Sequence, residues 1–442
     1  MKRLFYTLLF FLPCMLIACG GSDDTPDGDN NPPVVAPPSE EPVDSRLLYN
    51  GIRLPEQWPP VRSSSSELEK GMSPFYLSDK PSVINISVGR QLFVDNFLIE
   101  STNLKRTFYY PEYYSGNPIL TPEQDWEKTG TKGAAFAAPF SDGVWYDEKE
   151  GKYKMWYMAG GGSYATSGAG VTCYAESTDG IHWTKPTLSV VAGTNIVDYN
   201  SERDASVIWL DKQESNASKR YKMFLVARES GKWRYHYKTS PDGKVWRAAV
   251  QSEAIADRST VYKNPFRNVW VYSMRHNVRV DANKLVRARD YNENTDPEAG
   301  TKKAEALLSA FWFGPWANEQ HHTDYPNIAP AIYNQDATPY ESIMLGFFSV
   351  WQGPENDVCA SDNVIKRNQV MVGYSRDGYS WFREDMNPFH AVNTTTSDAW
   401  NQGNLQSVAG APLIVGDKLY FYLSGRRLSG TQEIKNTALA ML

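Results

Sequence analysis

Four carboxylates stand at positions where a repeated β-protein could bring them together. Asp204, within Arg203-Asp204-Ala205-Ser206-Val207, and Asp257, within Asp257-Arg258-Ser259-Thr260-Val261, each stand four residues before an apolar strand residue, Ile208 and Val261. Asp142 lies two residues further along its own strand, and a shift of two keeps the same face. Glu319 opens the polar patch Glu319-Gln320-His321-His322-Thr323-Asp324-Tyr325, which follows Trp312 and Trp316. Trp126-Glu127 is a further acid beside a ring. Two carboxyl groups on either side of a glycosidic bond suffice to cleave it: one protonates the leaving oxygen, the other attacks or activates water. The donor must keep its proton near neutral pH, which burial beside aromatic rings achieves. The competing reading of an Asp at a strand start is a turn cap. Arg203, Arg258 and Arg275 either orient the acids, bind an acidic sugar or are solvated surface charges. His321 and His322 could ligate a metal, but hydrogen bonding to substrate or backbone is the simpler reading. The Gly160–Gly170 stretch lacks the Gly-Lys-Ser/Thr of a phosphate cradle and reads as a hairpin loop. No nucleophile elbow and no metal-type Cys/His spacing occurs.

The elements that must position these groups form a repeat. Ser177-Thr178-Asp179-Gly180-Ile181-His182-Trp183, Ser240-Pro241-Asp242-Gly243-Lys244-Val245-Trp246 and Ser375-Arg376-Asp377-Gly378-Tyr379-Ser380-Trp381 all read S-x-D-G-x-x-W. Asp-Gly marks a tight turn, because Gly takes positive φ without steric cost. The copies lie 63 and 135 residues apart. The second interval is about twice the first, which suggests a degenerate copy between them, with Arg289-Asp290-Tyr291 as its remnant. Tyr153-Lys154-Met155-Trp156-Tyr157 recurs as Tyr221-Lys222-Met223-Phe224-Leu225, with weaker versions at 269–272, 342–345 and 419–422. Each follows another apolar strand, at 144–146, 206–210, 260–262, 328–333 and 408–415. Five strand pairs at a period of about 65 residues predict an all-β, five-bladed β-propeller. Lys302–Phe313 reads as one short helix.

These hairpins, the five-fold count and the central acids resemble the five-bladed propeller glycosidases of the arabinanase, arabinofuranosidase, invertase and levansucrase type, families 32 and 43. Sialidases carry a similar turn, S-x-D-x-G-x-T-W, but here Asp and Gly are adjacent in all three copies. The segment Gln91–Ile99, read as an opening strand, resembles a surface-lipoprotein branch of that group. The likeness spans about residues 85–442. It implies a base or nucleophile from blade 1, a transition-state stabiliser from blade 2 and an acid from blade 3. On matching positions Asp142 takes the first role and Asp204 the second; Arg203-Asp204 is similar to the Arg-Asp-Pro element, with Ala205 in place of Pro. Blade 3 offers Asp257 where the family has Glu, and Glu319 is the second choice for the acid. The implied function is a glycoside hydrolase acting on an oligo- or polysaccharide. Two other classes stay open: a non-catalytic glycan-binding propeller, and a mannoside-type phosphorylase. Rings expected to face sugar are Trp126, Trp312, Trp316 and Trp351, with Glu127, His321, His322 and Asp324 as polar contacts. The chemistry requires no cofactor, and a structural divalent cation in the channel is compatible with it.

The N-terminus reads as targeting. Lys2-Arg3 precede an apolar run from Leu4 to Ala18, too short for a confident membrane span but suited to a signal sequence. Leu16-Ile17-Ala18-Cys19 resembles a bacterial lipobox, making Cys19 the lipidated residue; Gly20-Gly21-Ser22-Asp23-Asp24 resembles a surface-export signal. The expected organisation is a signal peptide over 1–18, Cys19 and a flexible tether over 19–80, and the propeller domain over 81–442. Of the 4 Cys, only Cys173 and Cys359 belong to that domain, bonded to each other or free. The net charge of −6 carries no nucleic-acid footprint. The chain is thus expected as a monomeric outer-membrane lipoprotein at the cell surface. Closure of the ring falls either to the segment near Phe93 or to strands beyond Leu442.

Overall fold

The computed structural model describes residues 44–62, 72–130, 133–165, 170–281, 284–306 and 308–442. The signal segment, Cys19, the tether to residue 43 and the run Ser63–Ser66 lie outside the described residues. The protein is all-β. After a short strand β1 (Glu112–Tyr113) and a helical turn α1 (Asp125–Lys128), the chain runs through five successive antiparallel units, here called blades 1 to 5; bridging hydrogen bonds join four of them into one 15-stranded sheet, and the third stands as a separate 4-stranded sheet. Blade 1 holds β2 (Ala135–Asp147), β3 (Lys152–Ala159) and β4 (Gly170–Ser177). Blade 2 holds β5 (Ile196–Leu210), β6 (Tyr221–Glu229), β7 (Lys232–Ser240) and β8 (Arg247–Gln251). Blade 3 holds β9 (Thr260–Asn264), β10 (Val269–Asp281) and β11 (Lys284–Asn294), then a helix α2 (Pro297–Lys303) and β12 (Ala310–Phe313). Blade 4 holds β13 (Ala331–Tyr340), β14 (Ile343–Gly353), a helix α3 (Asn356–Asp362) and β15 (Arg367–Ser375). Blade 5 holds β16 (Asn404–Val408), β17 (Leu413–Val415), β18 (Lys418–Ser429) and β19 (Gln432–Met441). The first strands touch in cyclic order, β2 to β5 to β9 to β13 to β16 and back to β2, so the five units surround one axis.

The S-x-D-G-x-x-W turns are stitches between neighbouring sheets. In each, the Ser hydroxyl accepts the Gly N–H at 2.9 Å, and the Asp carboxylate accepts the two N–H groups after the Gly. The glycines have φ of 75°, 76° and 75°, the left-handed region. The turn then meets the preceding blade. Trp156 of β3 donates its Nε1–H to the Gly243 carbonyl at 2.6 Å, and Tyr422 of β18 donates to the Gly180 carbonyl at 2.9 Å. The Gly378 turn abuts Asn264 of β9 in the same way. A Cβ on Gly243 would sit 2.3 Å from the Trp156 ring, so the glycine is required by contact as well as by φ. The Tyr-Lys-Met repeat has its own logic: Lys154 and Lys222 are buried, each reaching back to the Asp that ends the first strand, Asp147 at 3.1 Å and Asp211 at 3.0 Å.

Several expectations are corrected. Arg289-Asp290-Tyr291 is no turn remnant but the middle of β11; blade 3 is built from a long β10–β11 hairpin instead. The helix expected over 302–313 starts earlier, at Pro297, because Asp296 caps it by accepting from Glu298 and Ala299 N–H. Residues 310–313 then pair with β11 as a strand. Gln91–Ile99 forms no strand, and Phe93 is exposed. Closure falls to β1, which pairs with β19, reinforced by the Leu120–Thr437 bridge. Packed sequence also begins before residue 81. Leu48, Ile52, Leu54, Met72 and Tyr76 are buried, and Asn50 donates to the Arg376 carbonyl at 3.0 Å. Cys173 and Cys359 are free thiols. Among the described residues, no helix is long and apolar enough to cross a membrane.

Candidate active site

Four of the five first strands are irregular at one level of the ring. The register slips between Ala138 and Gly143 in β2, between Arg203 and Ala205 in β5, between Ile332 and Asn334 in β13 and between Gln406 and Val408 in β16. Phe140, Arg258 and Ser407 have positive φ there, at 47°, 54° and 64°. Bulges turn side chains out of the pleat and cluster beside sites, and positive φ in a non-glycine costs about 1–3 kcal/mol, held only by its surroundings. At Arg258 the hold is visible: its N–H donates to Asp204 at 2.9 Å and its carbonyl accepts from Arg289 at 3.0 Å.

The result is a cleft of about 250 Å³ at the N-terminal ends of the first strands. Its walls are Phe136, Phe140, Met158, Gly170 and Trp233, and its polar groups are Glu202, Arg203, Asp204, Arg258 and Lys435. Asp204 is paired with the Arg258 guanidinium at 3.0 Å. Asp142 lies behind Arg203, wholly buried, with one oxygen accepting from Arg203 at 2.7 Å and the other without a hydrogen-bond partner among the described residues. Burial pushes the Asp142 carboxyl up to about 6, against the pull of Arg203. Two carboxyl groups from adjacent blades are therefore each held by an arginine of the cleft wall, Asp204 by Arg258 in the cleft and Asp142 by Arg203, desolvated behind it.

The surroundings are strongly cationic. Burial, with Arg426 and Arg258 adding repulsion, brings the Lys435 ammonium down to about 7 despite Glu433 at 3.3 Å. Burial alone would raise the Tyr333 hydroxyl, yet Arg258, Lys366 and Arg426 bring it down to about 8.

Other sequence candidates lie elsewhere. Asp257 precedes β9, pairs with Arg275 and does not line the cleft. Glu319 is buried in a two-pronged ion pair with Arg383 at 2.5 and 3.1 Å, under the Trp316 ring, so its oxygens are engaged in holding the fold. Glu127 is likewise spent: it accepts from the Glu123 and Gln124 N–H groups, Lys185 and the Tyr157 hydroxyl, capping α1. Trp126 donates to Asn195 at 3.0 Å, away from the cleft. Trp312 is fully buried and donates to the Tyr379 carbonyl at 2.9 Å, a core ring where a sugar-facing one was expected. His321 is exposed against the Pro326 carbonyl. His322 is buried and accepts from the Asp324 N–H at 3.0 Å; burial and Arg367 hold it down at about 4, and the Asp324 side chain is exposed. Among the described residues, no group of three or more His, Cys, Asp or Glu is placed to hold a metal ion.

Sequence reasoning missed Glu202, Phe140, Tyr333 and Lys435. Aligning the repeats would have found Tyr333, which occupies in β13 the bulge that Asp204 occupies in β5. Lys435 had no local signal, because it reaches the cleft only where β19 meets β2 side by side, opposite Phe136. A second cavity of about 250 Å³ at the far ends of the strands is lined by Trp145, Trp209, Asp211 and Glu341, among others. Both of its acids are already ion-paired, with Lys222 and Arg90.

No protein-family model matches the chain, and no curated protein matches it in sequence. Among solved structures the chain is remotely similar to an N-acetylgalactosamine deacetylase from F. plautii in complex with blood group B trisaccharide. The TM-score is 0.47 at 12% identity, over 73% of this chain and 95% of that one. It is also similar to a putative glycosidase from Bacteroides thetaiotaomicron, TM-score 0.43 at 13% identity over 75% and 96% of the two chains. A third is a fructofuranosidase from Schwanniomyces occidentalis complexed with fructosylnystose, TM-score 0.42 at 12% identity over 73% and 60%.

Proposed function

We propose that this protein is a glycoside hydrolase working in the axial cleft, with Asp142 and Asp204 as its two carboxyl groups. The observation that supports this reading is that adjacent blades seat each acid on its own arginine of the cleft wall, Asp142 on Arg203 and Asp204 on Arg258, in different environments. Environments that separate two carboxyls in this way suit one to hold a proton and the other to act as carboxylate. In place of the base or nucleophile role that the resemblance implies, Asp142, raised to about 6, takes the acid role and protonates the leaving glycosidic oxygen, and Arg203 stabilises the charge left on the carboxylate. Asp204 attacks the anomeric carbon or draws a proton from the attacking water. Asp142→Asn and Asp204→Asn are each expected to lower kcat by at least about 10³-fold with folding retained. Glu202→Gln is the comparator, since Glu202 also borders the cleft. Loss of turnover in Glu202→Gln with retention in Asp142→Asn would make Asp142 a structural group only. Binding without turnover in the unaltered protein would leave a glycan-binding role instead. The cations around the cleft favour phosphorolysis as the second reading, which requires inorganic phosphate for turnover.

We also propose that Cys19 is lipidated and tethers a monomer to the outer membrane, supported by the lipobox likeness. Labelling cells with an alkyne fatty acid should mark the protein and leave Cys19→Ala unmarked.

A further inference from the structure

Beside the cleft, rings and guanidiniums alternate in a single stack. Arg258 lies 5.4 Å from the Phe140 ring centre and 5.7 Å from that of Tyr333. Arg287, on β11, lies 5.6 Å from the other neighbour of that stack, the same Tyr333 ring, and 5.1 Å from Trp351. Two aromatic contacts fix a guanidinium plane and strip part of its hydration. The two arginines differ in what they hold. Arg258 is neutralised by Asp204. Arg287 has neither a carboxylate within ion-pairing distance nor a hydrogen-bond acceptor among the described residues, so its N–H fork is unspent. The Lys366 ammonium, whose charge reaches the same Tyr333, donates to the Asn356 amide oxygen at 2.6 Å and has no carboxylate in ion-pairing distance among the described residues. Arg258, Lys366 and Arg426 together bring the Tyr333 hydroxyl down to about 8 against the rise that burial alone would give, so the ring between the two guanidiniums stands in a positive field.

We propose that Arg287, clamped between Tyr333 and Trp351 and assisted by Lys366, binds the carboxylate or sulfate of an acidic glycan, so that the substrate is an anionic saccharide. A planar guanidinium fork meets either oxyanion with two parallel hydrogen bonds, which a neutral sugar ring cannot supply. The inference rests on the axial cleft being the saccharide site. It is read by binding, so its failure is separable from failure of the hydrolytic reading.

The full protein carrying Asp204→Asn, to suppress turnover, is run in native gels cast with polygalacturonate (carboxylate), carrageenan (sulfate) or arabinan (neutral). Retardation by one polyanion and not by arabinan is expected, and which polyanion acts distinguishes the two anions. Adding Arg287→Met should weaken that retardation at least about tenfold, with Arg287→Lys intermediate and the melting temperature of both variants unchanged within 2–3 °C. A lowered melting temperature is met by reading Lys366→Met, which leaves the stack intact and should weaken binding too. Equal retardation by arabinan, no retardation by either polyanion, or unchanged affinity in both variants overturns the proposal. Saturable binding of inorganic phosphate that Arg287→Met removes, without polyanion binding, overturns it in favour of a phosphate site. Turnover surviving in Asp204→Asn, with polyanion binding intact, refutes the hydrolytic assignment and leaves this one standing.

Discussion

Replacing Gly243 by Ala tests whether the repeated turns hold the blades together. Two costs add. The residue sits at φ 76°, where an L side chain loses about 1 kcal/mol relative to Gly. The new methyl would lie 2.3 Å from Cζ2 of Trp156 and 3.2 Å from two further atoms of that ring. The ring is buried and anchored by its own bond to the Gly243 carbonyl at 2.6 Å, so it cannot withdraw without losing that bond. Overpacking of this kind costs about 1–3 kcal/mol. The sum is about 2–4 kcal/mol. Gly231 is the internal control: its φ is 79°, and a Cβ there meets nothing within 4 Å. Gly231→Ala should therefore show the backbone cost alone, about 1 kcal/mol. Urea unfolding followed by tryptophan fluorescence reads the difference directly. If the two alanine variants lose the same stability within about 0.5 kcal/mol, the contact with Trp156 carries no energy and the interblade argument is wrong.

Three further outcomes follow from the buried charges. With Asp142 raised to about 6 and acting as proton donor, kcat should fall as pH rises through about 6; a profile that falls only on the acid side would assign Asp142 the base role instead. Asp336 is buried beside the channel and raised to about 7, chiefly by burial. Its folded value exceeds its unfolded one, so the folded state holds the proton longer, and stability declines as pH rises from about 4 to 7. Asp336→Asn should then be more stable than the unaltered protein at pH 8, by an amount of order 2 kcal/mol, and no more stable at pH 3. Equal pH dependence in both proteins, read by denaturation at the two pH values, would contradict that account. Glu319→Gln strands the buried Arg383 and should cost about 3–5 kcal/mol while leaving kcat unchanged; a specific loss of kcat at normal stability would return Glu319 to the chemistry.

The fold class was legible because its signals are local. A Ser, an Asp and a Gly within four residues make the same turn wherever they occur, and all three copies form the same hydrogen bonds. The strand pairs were legible from alternation and β-branched or aromatic content. Blade 3 was misread because its long hairpin needs no such turn, and because Asp290 reads like a turn residue while it is buried against His276 at 3.0 Å in mid-strand. Trp312 was misread because composition does not say which side of a sheet a ring faces.

The sequence by itself determined the antiparallel units, the repeated turns and the placing of Asp142 and Asp204 on first strands, since each depends on neighbours a few residues away. Tertiary structure alone decided which acids are available. Glu127 and Glu319 have the same side chain as any candidate catalyst, but Lys185 and Arg383 arrive from segments 58 and 64 residues distant and consume their oxygens. It also decided that Tyr333, Arg287 and Trp351 stack, because blade 4 packs its Tyr333 and Trp351 against the β11 strand of blade 3. The desolvation that raises one carboxyl while leaving the other in the cleft depends on what covers each group, and that cover is assembled only when the five units close around the axis.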